Sequence, residues 1–112
     1  MAVIPDGLDG TLNGVNEVTL CSAPAASSQN IVRQISIHND DTVSHTITVF
    51  KDNNGTNRNI RTIVLAANES WEFGDDDSII VLSATDQTIK ATSDAAATTT
   101  EPAFVSSWME IT

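Results

Sequence analysis

Short runs of alternating apolar and polar residues follow one another along most of the chain and are separated by acidic or Asn/Gly-rich turns. In the run at 31–38, Ile31, Ile35 and Ile37 fall on one face, which is the period of a half-buried strand. No helical period is sustained anywhere. Strands are predicted at 15–22, 31–38, 45–51, 60–66, 70–73, 79–84, 87–93 and 104–112. The chain is therefore predicted to be all-β: a single-domain antiparallel β-sandwich, jelly-roll-like, with about eight strands.

The same runs predict how some of the strands are placed. The runs 31–38 and 45–51 are predicted to form an antiparallel hairpin closed by an acidic turn at 39–43. The nearly continuous apolar run 79–84 predicts a central strand that is buried on both faces. Arg33 falls on the apolar face of its run, which predicts a position near a sheet edge or an acidic partner.

The first thirteen residues predict an extended N-terminal arm (1–13) ahead of a sandwich domain at 14–112. Pro5, Gly7 and Gly10 interrupt any regular pattern in the arm. Its apolar side chains still give it a reason to dock on something, and they are Val3, Ile4, Leu8 and Leu12. Two placements are open, because the arm can pack on its own domain or reach a neighbouring subunit.

Composition limits both the core and the partners. A chain of 112 residues fits one domain, and 40% apolar residues suffice for one core. With three Phe, two Trp and no Tyr, that core must consist mainly of Ile, Val, Leu and Ala. Five basic against 15 acidic residues give a net charge of −10, which repels nucleic acid and anionic lipid. We therefore expect no nucleic-acid and no membrane partner.

Cysteine usage and the N-terminus indicate where the chain is made. Cys21 is the only cysteine, so no disulfide can form within the chain, and we expect it to occupy a core position. The first ten residues lack the basic and apolar segments of a signal peptide. The expectation is synthesis in a reducing cytoplasm.

No set of residues predicts catalysis, metal binding or a cofactor. His38 and His45 are placed to face each other across the predicted hairpin, but Asp40 and Asp41 are the only further ligands nearby. The acidic cluster 75–77 is interpreted as a solvated corner, with a cation held between subunits as the alternative. None of the common nucleophile, phosphate or dinucleotide motifs occurs, so the chain is predicted not to be an enzyme.

Two tryptophans have two possible roles. Trp71 and Trp108 are expected to be core residues of a small sandwich, and the alternative is an anchor in a subunit interface, where Trp is enriched. Met109 follows Trp108 and fits either role.

The second part of the chain carries an ordered series of strand and turn motifs. They are a strand that ends in IHNDD, a TITVF strand, an LAANES turn before a short aromatic strand, an acidic lead into a buried strand, a TIKATS strand, and a terminal VSSWMEI strand, at 37–41, 46–50, 65–70, 77–84, 88–93 and 105–111. Over residues 31–112 this series resembles small virion structural proteins of tailed bacteriophages. That group often has Gly in the LAAGE turn where this chain has Asn68, and Asn tolerates the same left-handed conformation.

The resemblance implies a function for the chain. A capsid decoration or cement protein, bound to the outer surface of the virion head and made in the host cytoplasm, is expected, with itself (as a homotrimer) and the major capsid protein as partners. Burial of apolar area between subunits would stabilise the shell. The expected contact residues are Val3, Ile4, Leu8, Leu12, Trp108 and Met109. The alternatives are a small tail or fibre component that attaches to a host surface, and a non-viral carbohydrate-binding module.

Overall fold

The computed structural model of the chain describes residues 2–74 and 79–112, which form nine β-strands. The strands are β1 (Val3–Thr11), β2 (Val18–Cys21), β3 (Gln29–His38), β4 (His45–Asn53), β5 (Thr56–Leu65), β6 (Ser70–Phe73), β7 (Ile80–Leu82), β8 (Gln87–Ser93) and β9 (Ala103–Ile111). Within these two ranges, no helix is long and apolar enough to cross a membrane.

The strands form two antiparallel sheets. Sheet I has the order β1-β9-β3-β6, and β7 pairs with β3 beyond the end of β6. Sheet II has the order β2-β8-β4-β5. The predicted fold class, an all-β antiparallel sandwich, is confirmed.

The core lies between the inner faces of the two sheets. Alternation along the strands supplies it with Ile35 and Ile37 from sheet I and with Ile47 and Val49 from sheet II, all fully buried. As composition predicts, aliphatic side chains dominate this cluster, whose buried aromatic members are Phe104 and Trp108.

The one tight hairpin that the sequence signals strongly is the connection from β4 to β5. Asn54 and Gly55 both have positive φ values, 52° and 89°, as a two-residue hairpin turn of the primed type requires. Asn53 pairs with Thr56 on either side of the turn, and the side chain of Asp52 accepts a hydrogen bond from the Gly55 N–H.

The predicted hairpin between the runs 31–38 and 45–51 is wrong, because β3 belongs to sheet I and β4 to sheet II. The connection crosses between the sheets and is held by buried polar groups. The Asn39 amide donates to the carbonyl oxygens of Val43 and Leu65 at 2.9 and 2.8 Å. Acidic composition at this turn reflects an internal network and not a solvated hairpin end.

The predicted central strand at 79–84 is also wrong. It is the three-residue strand β7, which pairs only with β3 among the described strands and leaves Val81 exposed.

Arg33 interrupts the alternation of β3, because the register with β9 shifts between Val32 and Gln34. This β-bulge, together with the gap between the β6 and β7 pairings, lets the guanidinium leave the apolar face.

The predicted arm is largely strand β1. It pairs antiparallel with β9 along all nine residues, from Val3 opposite Ile111 to Thr11 opposite Ala103. Leu12, directly after it, is buried in the core. Of the two placements left open by the sequence, the described residues show packing on the chain's own domain.

Candidate assembly surface

Each sheet has a long edge strand with no strand partner on its outer side among residues 2–74 and 79–112. In sheet I this is β1, and in sheet II it is β5. Since β1 packs beside β2, and β5 beside β6, the two edges lie on opposite sides of the sandwich. Unpaired edges are the natural docking points for a further strand.

The backbone groups of β1 that face outward can be assigned from its pairing with β9. Thr112 N–H donates to Ala2 O, and Leu12 N–H donates to Pro102 O, which places even-numbered residues of β1 in hydrogen-bonded pairs. The odd-numbered residues therefore direct their backbone groups to the open edge. Pro5 is one of them, so its missing N–H removes a single donor from an edge that otherwise keeps its donors and acceptors.

The two edges carry opposite charge. Strand β1 contains Asp6 and Asp9 and no basic residue, whereas β5 contains Arg58 and Arg61 and no acidic residue. Within the described part of the chain, none of these four side chains forms an ion pair. The two edges are thus electrostatically complementary to each other and not to themselves.

A row of apolar residues crosses the outer face of sheet I. Pro5 lies opposite Met109, Met109 opposite Ile31, and Ile31 opposite Val81. Trp108, the neighbour of Met109 along β9, points into the core, so Met109 and the row to which it belongs point outward. Pro5 and Val81 are exposed, and Met109 and Ile31 are half-buried.

The structure separates the predicted contact residues into two groups. Leu12 and Trp108 are buried in the core and present no side chain at the surface. Val3, Ile4 and Leu8 are exposed along β1 at 47%, 49% and 36%. Met109 lies in the apolar row, opposite Pro5 of β1. Their contact with another subunit or with a capsid protein stays a prediction.

His38 and His45 do not face each other. His38 is partly exposed, with its Nδ1 bonded to the Ser70 hydroxyl and its Nε2 3.5 Å from Asp40. His45 is buried, and its two ring nitrogens contact Asp41 and Ser93. The acidic cluster 75–77 lies outside the described residues.

The surroundings of His45 form a buried polar cluster that sequence reasoning missed. Nε2 lies 2.6 Å from Asp41 Oδ2, while Nδ1 lies 2.9 Å from Ser93 Oγ and 3.2 Å from Asp94 Oδ1. The hydrogen bond to Asp41 raises the pKa of His45, and the same bond, helped by backbone N–H groups, lowers the pKa of Asp41.

Ser93, His45 and Asp41 are ordered like a nucleophile, base and orienting acid. Ser93 is only 4% exposed and the imidazole 2%, so no substrate carbonyl can approach the hydroxyl. The cluster binds loops together and does not form an open catalytic site. Cys21 is equally inaccessible, because it is fully buried. Burial, and to a lesser degree Asp6, also raises the pKa of its thiol to about 12, which keeps the thiol protonated and unreactive.

No protein-family model and no curated protein sequence matches this chain. Among solved structures, the chain is similar to a Bacillus endospore appendage protein, one of a family described as disulfide-linked pili. The TM-score is 0.54 at 17% sequence identity, over 98% of this chain and 88% of that chain. A second similarity is to infectious bursal disease virus, Gx strain, with a TM-score of 0.34 and 13% identity, over 97% of this chain and 31% of that chain. At this identity the first similarity establishes the shared β-sandwich fold.

Proposed function

We propose that the chain is a non-enzymatic structural subunit that assembles with copies of itself by pairing β1 of one copy with β5 of the next. The observation that carries the proposal is the complementarity of the two open edges in both charge and apolar character. Strand addition at an open edge satisfies backbone donors and acceptors, and the side chains then determine which strand binds.

One antiparallel register matches the edges residue by residue. It aligns residues 3–6 of one copy with residues 64–61 of the other. The alignment brings three compatible pairs together: Val3 with Val64, Ile4 with Ile63, and Asp6 with Arg61. Val64 is 66% exposed in the single chain, so the pairing buries side chains that are otherwise in water.

Charge argues against pairing each edge with itself. Two β1 strands would bring Asp6 and Asp9 together, and two β5 strands would bring Arg58 and Arg61 together, which is unfavourable for directly opposed residues. A β1–β5 contact joins different surfaces on opposite sides of the molecule. Such head-to-tail contacts produce rings or open filaments according to the rotation between subunits.

A finer proposal concerns where the assembly is found. The resemblance to tailed-phage virion proteins and the acidic composition support a decoration protein on the outer surface of a phage head. In that role the apolar row from Pro5 to Val81, with Met109 at its centre, is the face offered to the major capsid protein. A trimer is the closed form that a head-to-tail contact can take in that setting.

Charge reversal at the edges tests the assembly. At about 0.15 M salt, where repulsion between whole chains is screened, Asp6→Arg and Arg61→Asp each replace an attractive pair with like charges and are expected to weaken self-association about three- to tenfold, whereas a chain carrying both changes regains it. Analytical ultracentrifugation with negative-stain electron microscopy is the measurement. Arg33→Asp, the same change at an exposed arginine outside both edges, is the control. Unchanged association of both single variants would overturn the β1–β5 contact.

The virion location has its own experiment. Quantitative mass spectrometry and antibody labelling of purified phage particles give the copy number and position of the chain. Hundreds of copies over the head support decoration, and a few copies at the tail support an attachment role. Absence from the particle rejects both the decoration role and the attachment role. The β1–β5 self-assembly is tested separately by the charge-reversal variants.

A further inference from the structure

The 94–102 loop is fastened to the β3–β4 connection by one carboxylate. Asp41 is buried, and its two oxygens accept backbone N–H groups of Thr98 and Thr99, each at 2.9 Å. The N–H of Thr100 lies at 3.5 Å from the same carboxylate. The loop sequence, DAAATTTEP, has little apolar content of its own, so these bonds supply much of what orders it.

The carboxylate is in turn held by His45. A protonated imidazole donates from Nε2 to Asp41 and from Nδ1 to Asp94 Oδ1 and Ser93 Oγ, which ties the start of the loop to the same cluster. A neutral imidazole can donate from only one nitrogen. Loss of the proton therefore removes the charged partner of both Asp41 and Asp94 and leaves only one of them an N–H donor from the ring.

We infer that Asp41 and His45 form a pH-sensitive latch that holds the 94–102 loop closed. Among the described residues, the charged groups that act on His45 are Asp41, from the β3–β4 connection, and Asp94, at the end of β8. Both are acidic and both favour the protonated ring. The latch is closed when His45 is charged and Asp41 is ionised.

Deprotonation of His45 weakens the latch at high pH, and protonation of Asp41 weakens it at low pH. The pKa of His45 is raised by folding, so its contribution is complete below the unfolded value of about 6.5 and is lost as the pH rises through the folded pKa. The pKa of Asp41 is lowered by folding, so its contribution is complete above the unfolded value of about 3.9 and is lost as the pH falls through the folded pKa. The latch is therefore strongest between about pH 4 and about pH 6.5.

Opening the latch affects the edge strand as well. The loop packs on the segment after β1, where Ala96 lies next to Gly14 and where Leu12 N–H bonds to Pro102 O. Release of the loop loosens the end of β1, the strand that pairs with β5 in the proposed assembly. This consequence rests on the proposed function, whereas the latch itself does not.

Hydrogen exchange by NMR tests the latch within the single chain. In the wild-type protein we expect the protection factors of the Thr98 and Thr99 amides to fall as the pH rises through the titration of His45. The fall is about tenfold for each unit by which the pKa of His45 exceeds its value in the open state. Amides of the β4–β8 ladder serve as the internal reference: they exchange through larger openings, so they lose protection by at most the same factor and stay better protected than Thr98 and Thr99 at every pH.

Two variants complete the experiment. His45→Gln keeps a donor for Asp41 but cannot titrate, so the Thr98 and Thr99 amides are expected to lose this pH dependence. His38→Gln, at the exposed histidine, keeps the wild-type dependence. Protection that stays constant while the His45 ring titrates in the wild type would overturn the latch, whether or not His45→Gln folds. Since these amides report on one chain, the result is independent of whether Arg61→Asp changes assembly.

Discussion

At the residue scale, burial decides which side chains carry stability. Val49 is fully buried between the sheets, whereas Val105 is 60% exposed on the outer face of sheet I. Both lie within long strands, so replacing each with Ala mainly shows how burial affects the free energy of unfolding.

We predict that Val49→Ala lowers the free energy of unfolding by about 2 kcal/mol. Two lost methyl groups account for about 1.6 kcal/mol and the cavity they leave adds the rest. Val105→Ala is expected to stay within about 0.5 kcal/mol of wild type. Urea denaturation of both variants gives the comparison, and equal losses would mean that the core does not lie between these faces.

Two glycines at positive φ differ in the space around them. A Cβ at Gly74 (φ +123°) would lie 2.3 Å from the Arg33 carbonyl oxygen, while a Cβ at Gly55 (φ +89°) would meet nothing within 4 Å. Both changes strain the backbone, but only the first also forces β3 and the end of β6 apart.

We predict that Gly74→Ala destabilises the protein by clearly more than Gly55→Ala, for which about 1 kcal/mol is expected. Thermal unfolding of the two variants under identical conditions measures the difference. A smaller loss of stability at position 74 than at position 55 would show that β3 can move away from the added methyl group at little energetic cost.

Alternation along the sequence placed Ile35 and Ile37 on the core face correctly, but it placed Ile31 there too, and Ile31 lies in the outward apolar row. It failed at Arg33, because a one-residue bulge changes which side of the sheet a residue faces and leaves no mark in composition. It also missed the His45 cluster. Asp94 is 49 positions away from His45, and only the folded chain brings the two together.

At the element scale, most strand positions followed from the sequence but their pairing did not. Alternating runs and Asn/Gly turns mark strands locally. Whether a turn returns the chain to the same sheet or crosses to the other depends on what the turn packs against. The buried Asn39 amide, bonded to the Val43 and Leu65 carbonyl groups, determines the crossing between β3 and β4, and the acidic composition of the turn does not reveal it.

Strand β1 is anchored in the core just beyond its C-terminal end and is exposed along its length. All nine of its residues are exposed, while Leu12, just beyond it, is 1% exposed. Its edge is thus available to a partner although its end is anchored in the core.

We predict different outcomes for two truncations. Removal of residues 2–10 is expected to leave a folded but non-associating chain, because it deletes an exposed edge strand and keeps Leu12. Removal of residues 2–13 also empties the Leu12 site and is expected to cost a further 2–5 kcal/mol or so, as for other buried leucines. Circular dichroism melts measure folding, and sedimentation measures association. Wild-type association of the shorter truncation would exclude β1 from the contact.

At the scale of the whole molecule, net charge opposes assembly while the edges favour it. Two chains of charge −10 at a centre separation of about 28 Å, the intermediate dimension of the molecule, repel by about 15 kcal/mol in pure water. Screening at about 0.01 M salt reduces this to about 6 kcal/mol, and at about 0.1 M to about 1 kcal/mol. An exposed pair such as Asp6–Arg61 contributes only about 0–1 kcal/mol in the opposite sense.

Because the repulsion between the chains exceeds the attraction of the edge ion pairs at low salt, we predict that self-association strengthens as salt rises from about 0.01 M to about 0.1 M. The apolar pairs of the contact do not depend on screening and hold the subunits once repulsion is reduced. Sedimentation velocity across the salt series is the measurement, with Arg61→Asp as the control that associates more weakly than wild type at each salt concentration. Association that instead weakens with salt would mean that ion pairs, and not apolar burial at the β1–β5 edge, hold the subunits together.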